Sequence, residues 1–274
     1  MDITQLIIGL VLAACIAYAA FQLKALNKSG GWAAFGLGTL VFGLGGFAWA
    51  LVLMVFFITS SGLSLLFKKR KTTVEEKYAK GSRRDARQVL ANGGLAGAAV
   101  IAHVLFPTSI LPWVAFSAVF AAANADTWAT ELGVLNRTSP RLIHTGKVVP
   151  AGTSGGVSLA GMLAAAAGSM IVAATTYIFW PLTGLAGANR LLLSLLIVVA
   201  GFLGSIVDSV IGATVQGVYW CSACQKETEK YPLHSCGNAT TLLRGKRWIT
   251  NDWVNLLCTG SASALMIIAT LLFL

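Results

Sequence analysis

Residues 32–67 read WAAFGLGTLVFGLGGFAWALVLMVFFITSSGLSLLF, without one charged side chain. A helix needs about 20 apolar residues to cross about 30 Å of hydrocarbon, so this run is too long for one crossing. We break it at Gly45 and Gly46, which gives spans at 31–47 and 48–67. Six further apolar segments, at 3–23, 89–106, 111–126, 156–180, 190–216 and 252–274, bring the expected number to eight.

Composition agrees with that reading. The chain has 274 residues, 56% hydrophobic and 11% charged, which belongs to the membrane class. The predicted fold is an all-α polytopic membrane protein. It forms a single membrane domain over 1–274, with a hydrophilic insertion at 217–251. The first segment starts at Asp2 without a basic stretch before it, so we expect a retained helix rather than a cleavable signal peptide. Gly36, Gly38, Gly43, Gly45 and Gly46 let helix backbones approach closely, which predicts a tight bundle. No internal repeat is visible, which argues against an inverted-repeat transporter.

Charge tests the topology. With eight crossings both termini share one face, and loops 24–30, 68–88, 127–155 and 217–251 share the other. Those loops hold nineteen of the twenty Lys and Arg residues; Arg190 is the exception. The positive-inside rule makes that face cytoplasmic and puts both termini outside. The expected location is the plasma (inner) membrane of a prokaryote. The net charge of +10 then reflects topology and attraction to lipid headgroups and phosphorylated substrates, with no nucleic-acid partner implied.

Ten acidic residues are present. Asp2 is terminal, and Glu75, Glu76, Glu227 and Glu229 sit in charged loops where solvation explains them. The other five, Asp85, Asp126, Glu131, Asp208 and Asp252, all fall near the cytoplasmic ends of spans. Acids at membrane depth are costly and need a partner such as a metal or a lysine. Asp85, Gln88 and Asn92 share a helical face, and Gly204 and Gly212 flank Asp208 a turn away on each side. Asn251, Asp252 and Asn255 open the last span. The alternative role for Asp85 and Asp252 is helix capping.

Lys147 and the stretch Gly152, Thr153, Ser154, Gly155, Gly156 precede the sixth span. Helix N-termini hold anions, and glycines let backbone approach phosphate. The stretch is not a Walker A loop. With Asp126 upstream it points to metal-bound phosphate at a membrane surface. Separately, Cys221, Cys224, His234 and Cys236 supply four ligands in the hydrophilic insertion, the number a structural zinc site uses. Redox dithiol chemistry is the competing reading there. Cys15 and Cys258 lie in apolar spans as packing residues, and His103 is expected to pack or face the outer loop.

Several of these segments resemble one integral-membrane family. They are 84–94, 125–133, 145–156, 204–213 with Asp208 at the centre, and the cysteine loop leading to Asn251, Asp252 and Asn255. The family includes the phytyl-phosphate kinase of plants and cyanobacteria and the eukaryotic transmembrane protein 19. The resemblance covers most of the chain from about residue 30. A fainter likeness runs to dolichol and polyprenol kinases and to membrane cytidylyltransferases, where an Asp at a helix end precedes a Lys and a Gly-Thr turn. Here Pro150 and Ala151 stand where those kinases have an acidic residue.

What the resemblance implies is an isoprenoid phosphate kinase moving a phosphoryl group from CTP or another nucleoside triphosphate to a prenyl-type monophosphate. On that reading Asp126 and Asp208 bind magnesium with Glu131 assisting, and Lys147 and the 152–156 turn bind nucleotide phosphate. Arg83, Arg84 and Arg87 hold the substrate phosphate, with Asp85 and Asn92 organising them. The prenyl tail lies between small-residue helices, opening to lipid. Cytidylyl transfer to a lipid phosphate, transport, and a non-catalytic scaffold are the alternatives.

Overall fold

In hydrocarbon every backbone polar group must be paired internally, which is why uncharged runs become helices. The structure, a computed structural model, describes residues 3–67, 83–135, 138–180 and 189–273. Asp2, Glu75, Glu76, Arg137 and the part of the basic loop at 68–82 lie outside the described residues. Eight α-helices run through them: α1 Ile3–Gln22, α2 Lys28–Leu40, α3 Phe47–Leu66, α4 Ala86–Leu105, α5 Leu111–Gly133, α6 Leu159–Ile178, α7 Arg190–Thr214 and α8 Asn251–Phe273. Six of them, all but α2 and α5, are long and apolar enough to cross a membrane. Ile8, Leu12, Ile58, Leu203 and Leu271 face outward from the bundle, as a lipid-facing surface requires.

The two exceptions have separate causes. α2 stops after 13 residues, and the chain continues as a π-helical turn, Val41–Gly45. At Gly46 φ is +83°, a conformation a side chain disfavours, and α3 starts at the next residue. The break therefore falls at the glycine pair. α5 is less apolar because it never meets lipid: it packs against α3, α4, α6, α7 and α8, and 112–125 are buried without interruption. A central helix can carry Asn124, Asp126 and Glu131 at no exposure to hydrocarbon. It also runs past the expected end at 126, to Gly133. Asp126, Thr127, Thr130 and Glu131 are thus helical positions and not loop residues.

Away from these polar residues the bundle is filled by rings. Trp49 of α3 meets Trp113 and Phe116 of α5 at 5.0 and 4.7 Å between centroids, and Phe56 stacks on Phe120 at 5.1 Å. His103 packs on Trp49 at 4.9 Å. Elsewhere small residues set the spacing. A Cβ on Gly9 of α1 would stand 2.6 Å from the Gly43 backbone, and one on Gly204 would stand 2.8 Å from the Ala122 side chain. Cys258 is buried as expected, whereas Cys15 is exposed.

The fold is mostly helical, but it is not all-α. β1 Arg141–Leu142 pairs with β2 Gly156–Val157. In the hydrophilic insertion β3 Val218–Cys221 is the middle strand, flanked by β4 Lys226–Thr228 and β5 Thr240–Arg244, both antiparallel to it. The insertion alternates too tightly between turns for a helix, and the sheet gives its backbone the partners a short loop would lack.

Candidate phosphate and metal site

One helix start fixes the first wall. Asp85 is the N-cap of α4: its carboxylate accepts from the Gln88 N–H at 2.9 Å, and the Gln88 side chain accepts from the Asp85 N–H at 3.2 Å. This capping box aims the preceding residue inward. Arg84 donates to the Ser60 hydroxyl at 3.2 Å and lies over the Phe56 ring at 5.5 Å. Burial lowers its pKa to about 10, which leaves it a cation at neutral pH.

The second wall is the polar end of α5 against α7. Asn124 is fixed by Thr59 at 2.9 Å and by donating to the Gly168 carbonyl at 2.8 Å. Two turns on, Ser64 donates to Glu131 at 2.7 Å. Asp126 faces Asp208 of α7 within hydrogen-bonding reach, so the two carboxyl groups approach across the helix interface. The Asp208 Oδ2 atom is buried without a hydrogen-bond partner among the described residues. Two carboxylates in contact repel, and a divalent cation between them relieves that repulsion. The donor set fits a hard, oxygen-seeking ion such as magnesium.

The third wall is the 152–156 turn, held from two sides. A Cβ on Gly155 would overlap Ala213, so the turn seats directly on the end of α7. Arg244 of β5 then clamps both: it donates to the Gly212 and Ala213 carbonyls at 2.8 and 2.6 Å and to the Ser154 carbonyl at 3.1 Å. These are the last carbonyls of α7, which a helix end leaves without partners. The turn's hydroxyls are engaged as donors, Thr153 to Pro150 at 2.8 Å and Ser154 to Glu229 at 2.7 Å. What it presents to a ligand is mainly backbone.

Together these walls enclose a cavity of about 670 Å³. Its lining includes Arg84, Arg87, Asn92, Asp126, Glu131, Asp208 and all five residues of the 152–156 turn. Asn251, Asp252 and Asn255 close it from the start of α8. Three expected residues are not in the lining. Lys147 is exposed in the segment joining β1 and β2, Asp85 turns to its own helix, and Arg83 is exposed before α4. Gly152 and Gly155 have positive φ, +76° and +77°, the backbone freedom that a close turn needs.

Other lining residues were not expected. Glu229, Lys230, Tyr231 and Arg247 come from the cysteine insertion and reach the cavity. Glu229 is not a solvated loop acid: it accepts from Ser154 and bears electrostatically on Asp208. Tyr231 stacks on Tyr219 at 4.9 Å and lies 5.6 Å from the Arg247 guanidinium. The only sequence signal for them was their closeness to the cysteines.

Those cysteines form the second centre. The ligand atoms of Cys221, Cys224, His234 and Cys236 all lie within 4.8 Å of one another. Cys221 and Cys236 sulfurs are 3.6 Å apart, and His234 Nδ1 lies 3.3 Å from Cys236. A tetrahedral zinc with bonds of about 2.3 Å separates its sulfurs by about 3.8 Å, so the cluster can hold such an ion. Asn238 donates to Cys236 from its side chain at 3.4 Å and from its backbone, and with His234 it lowers that thiol to about 5. Hydrogen bonding to Cys236 is the largest of the effects that push the Cys224 thiol up to about 11.

A helical bundle with lipid-facing apolar surfaces and a polar cavity at one end is an integral multi-pass membrane protein. The chain belongs to the family described as integral membrane protein DUF92, whose model matches residues 11–263. This bears out the resemblance read from the motifs. Protein PGR of Arabidopsis thaliana is 35% identical over 245 residues, 82% of this chain and 84% of that one. An uncharacterized membrane protein of Methanocaldococcus jannaschii is 31% identical over 176 residues, 61% and 65% of the two chains. An uncharacterized membrane protein of Synechocystis is 28% identical over 238 residues, 85% and 79%. No solved structure matches.

Proposed function

We propose that the protein is a lipid-phosphate kinase that moves the γ-phosphoryl group of CTP or another nucleoside triphosphate to a prenyl-type monophosphate. The observation that carries this is the meeting of Asp126 and Asp208 in one cavity with Arg84, Arg87, Lys230 and Arg247 around it. Phosphoryl transfer asks mainly for positioning and charge neutralisation, and this lining offers both. The volume is within the range that small-molecule sites occupy.

In the reaction an oxygen of the prenyl monophosphate attacks the γ-phosphorus. The bond from that phosphorus to the β–γ bridging oxygen breaks, and a nucleoside diphosphate leaves. The acceptor oxygen is already ionised, so no strong general base is required. Asp126 and Asp208 would hold magnesium, with Glu229 and Glu131 beside them, and the ion would neutralise charge on the transferring phosphate. Arg84 and Arg87 would orient the acceptor phosphate. The 152–156 backbone, Lys230 and Arg247 would hold the nucleotide phosphates, a role the sequence reading had given to Lys147. Zinc at the four Cys/His ligands would be structural, fixing Glu229, Lys230 and Tyr231 against the cavity.

We place the cavity on the cytoplasmic side of an eight-crossing bundle with both termini outside, in the plasma membrane of a prokaryote. The basic loops support that sidedness. Exposed Trp248 and Trp253 beside Lys246 and Arg247 suit the headgroup layer at the cavity's edge. The test is product analysis: purified protein, magnesium, CTP or ATP, and a panel of prenyl monophosphates. A prenyl diphosphate with a nucleoside diphosphate supports the kinase. A CDP-linked lipid with pyrophosphate moves the protein to the cytidylyltransferases, and absence of any nucleotide turnover removes the reading.

A further inference from the structure

A second, smaller cavity of about 60 Å³ lies between α1, α2, α3 and α4. Its walls are small or apolar: Ala13 and Ala17 of α1, Ala34 and Gly38 of α2, Phe57 of α3 and Val89 of α4. Two polar residues break that lining, Arg84 and Asn92, and both also line the large cavity. The two spaces therefore share a wall that carries the Arg84 cation. Away from Arg84 and Asn92 the void offers water no polar side chain.

The geometry explains why a space exists here. α1 is pinned near its start, where Gly9 meets the Gly43 backbone, and again at Ala13 against Gly38. Beyond that point its inward residues are Ala17 and Ala20, too short to fill the gap to Phe57. α1 packs mainly on α2 and the π-helical turn, and its Ile8 and Leu12 are exposed, so the slot adjoins lipid. Phe42 of that turn forms part of its wall.

We propose that this slot takes the head-proximal end of a single hydrocarbon chain whose phosphate sits at Arg84. The inference rests on the kinase reading for the identity of the headgroup, and it adds where the tail goes and which lipids are admitted. Charge complementarity selects the headgroup, because among the described residues Arg84 is the one charged residue in the slot's lining. Volume selects the tail: about 60 Å³ favours one chain over the two of a diacyl phospholipid. A ligand so placed presents its phosphate to the large cavity past Asn92 while the rest of its chain leaves into the bilayer.

The experiment uses the full chain in nanodiscs with geranylgeranyl monophosphate carrying a diazirine close to its head. After irradiation, adducts are mapped by mass spectrometry with competing inorganic phosphate, unlabelled geranylgeranyl monophosphate or phosphatidic acid. Adducts should fall on Ile16, Ala34 and Phe57 and be displaced by the single-chain competitor alone. Ala34→Phe and Ala17→Phe, which fill the slot, should each cut labelling about tenfold. Adducts spread over lipid-facing residues such as Leu12 and Ile58, indifferent to both substitutions, would overturn the slot, as would equal displacement by phosphatidic acid. If neither variant folds, the wild-type adduct map and the competition decide alone. Nucleotide turnover with geranylgeranyl monophosphate, followed in the same nanodiscs, separates the two ideas. Turnover without slot labelling overturns only the slot; slot labelling with no nucleotide turnover overturns only the kinase.

Discussion

The two halves of α5 share a helix and a bundle and have opposite natures. Its first half, through Ala123, is buried among Trp49, Phe56 and Trp180. Its second half, from Asn124 to Gly133, presents Asp126, Thr127, Thr130 and Glu131 to a polar cavity. In the first half, what matters is volume, and other apolar side chains of similar size can serve. In the second, position and charge matter, because a carboxylate without its partner or ion is costly there. The difference teaches that burial and function are separable along one element, so substitutions on either side of Asn124 should fail in different ways.

The largest contrast is between Asp126→Ala or Asp208→Ala and Phe116→Ala. Either aspartate variant should lose about a thousandfold in nucleotide turnover, the scale of a lost charge-stabilising group, with its melting temperature nearly unchanged. Phe116→Ala should cost about 3–5 kcal/mol of stability, while its folded fraction keeps normal turnover. Thermal melts beside turnover assays separate the two, and equal stability loss in the aspartate variants would erase the distinction.

Next is Cys224→Ser. Elemental analysis should show zinc in the wild type and its loss in the variant. Turnover should fall with it, because Glu229, Lys230 and Tyr231 lose their fixed positions. A zinc-free variant with unaltered turnover would make the insertion an ornament to the cavity. Arg244→Met is smaller. It removes the donors to Gly212, Ala213 and Ser154 and should cost about 1–3 kcal/mol, with KM for nucleotide rising more than kcat falls.

Two further substitutions calibrate the site's edge. Asp85→Ala should cost about 1 kcal/mol through the lost cap, and turnover should suffer only as Arg84 loosens. Lys147→Ala should change stability and KM by no more than an exposed surface substitution does, within about 0.5 kcal/mol. A large KM effect from Lys147→Ala would return that lysine to the nucleotide and show that its segment moves on binding.

How much of this was legible in sequence follows from the kind of signal each residue leaves. Apolar runs and the glycine pair at 45 and 46 are local, and the helices and their break fall close to where those predict. Asp126, Asp208, Asn92 and the 152–156 turn were legible because each is a polar feature in apolar surroundings. The end of α5 was misjudged because polar residues on a central helix look like the start of a loop until the cavity they line is known. Glu229, Lys230 and Arg247 left no such contrast: in a charged insertion an acid or a cation is unremarkable, and only the docking of β3–β5 onto α7 brings them to Asp208. Lys147 shows the reverse error, a lysine near a glycine turn in sequence but not in the cavity's lining. The strands escaped notice because the cysteine spacing dominated the reading of that segment.

The measurement that bears most directly on the account follows the γ-phosphoryl group itself. CTP or ATP labelled at the γ-phosphorus is incubated with magnesium, geranylgeranyl monophosphate and either the wild type or Asp126→Ala. The account predicts label in a prenyl diphosphate with the wild type and none with the variant. Label released as pyrophosphate, label left on the nucleotide, or equal transfer by the variant would contradict it.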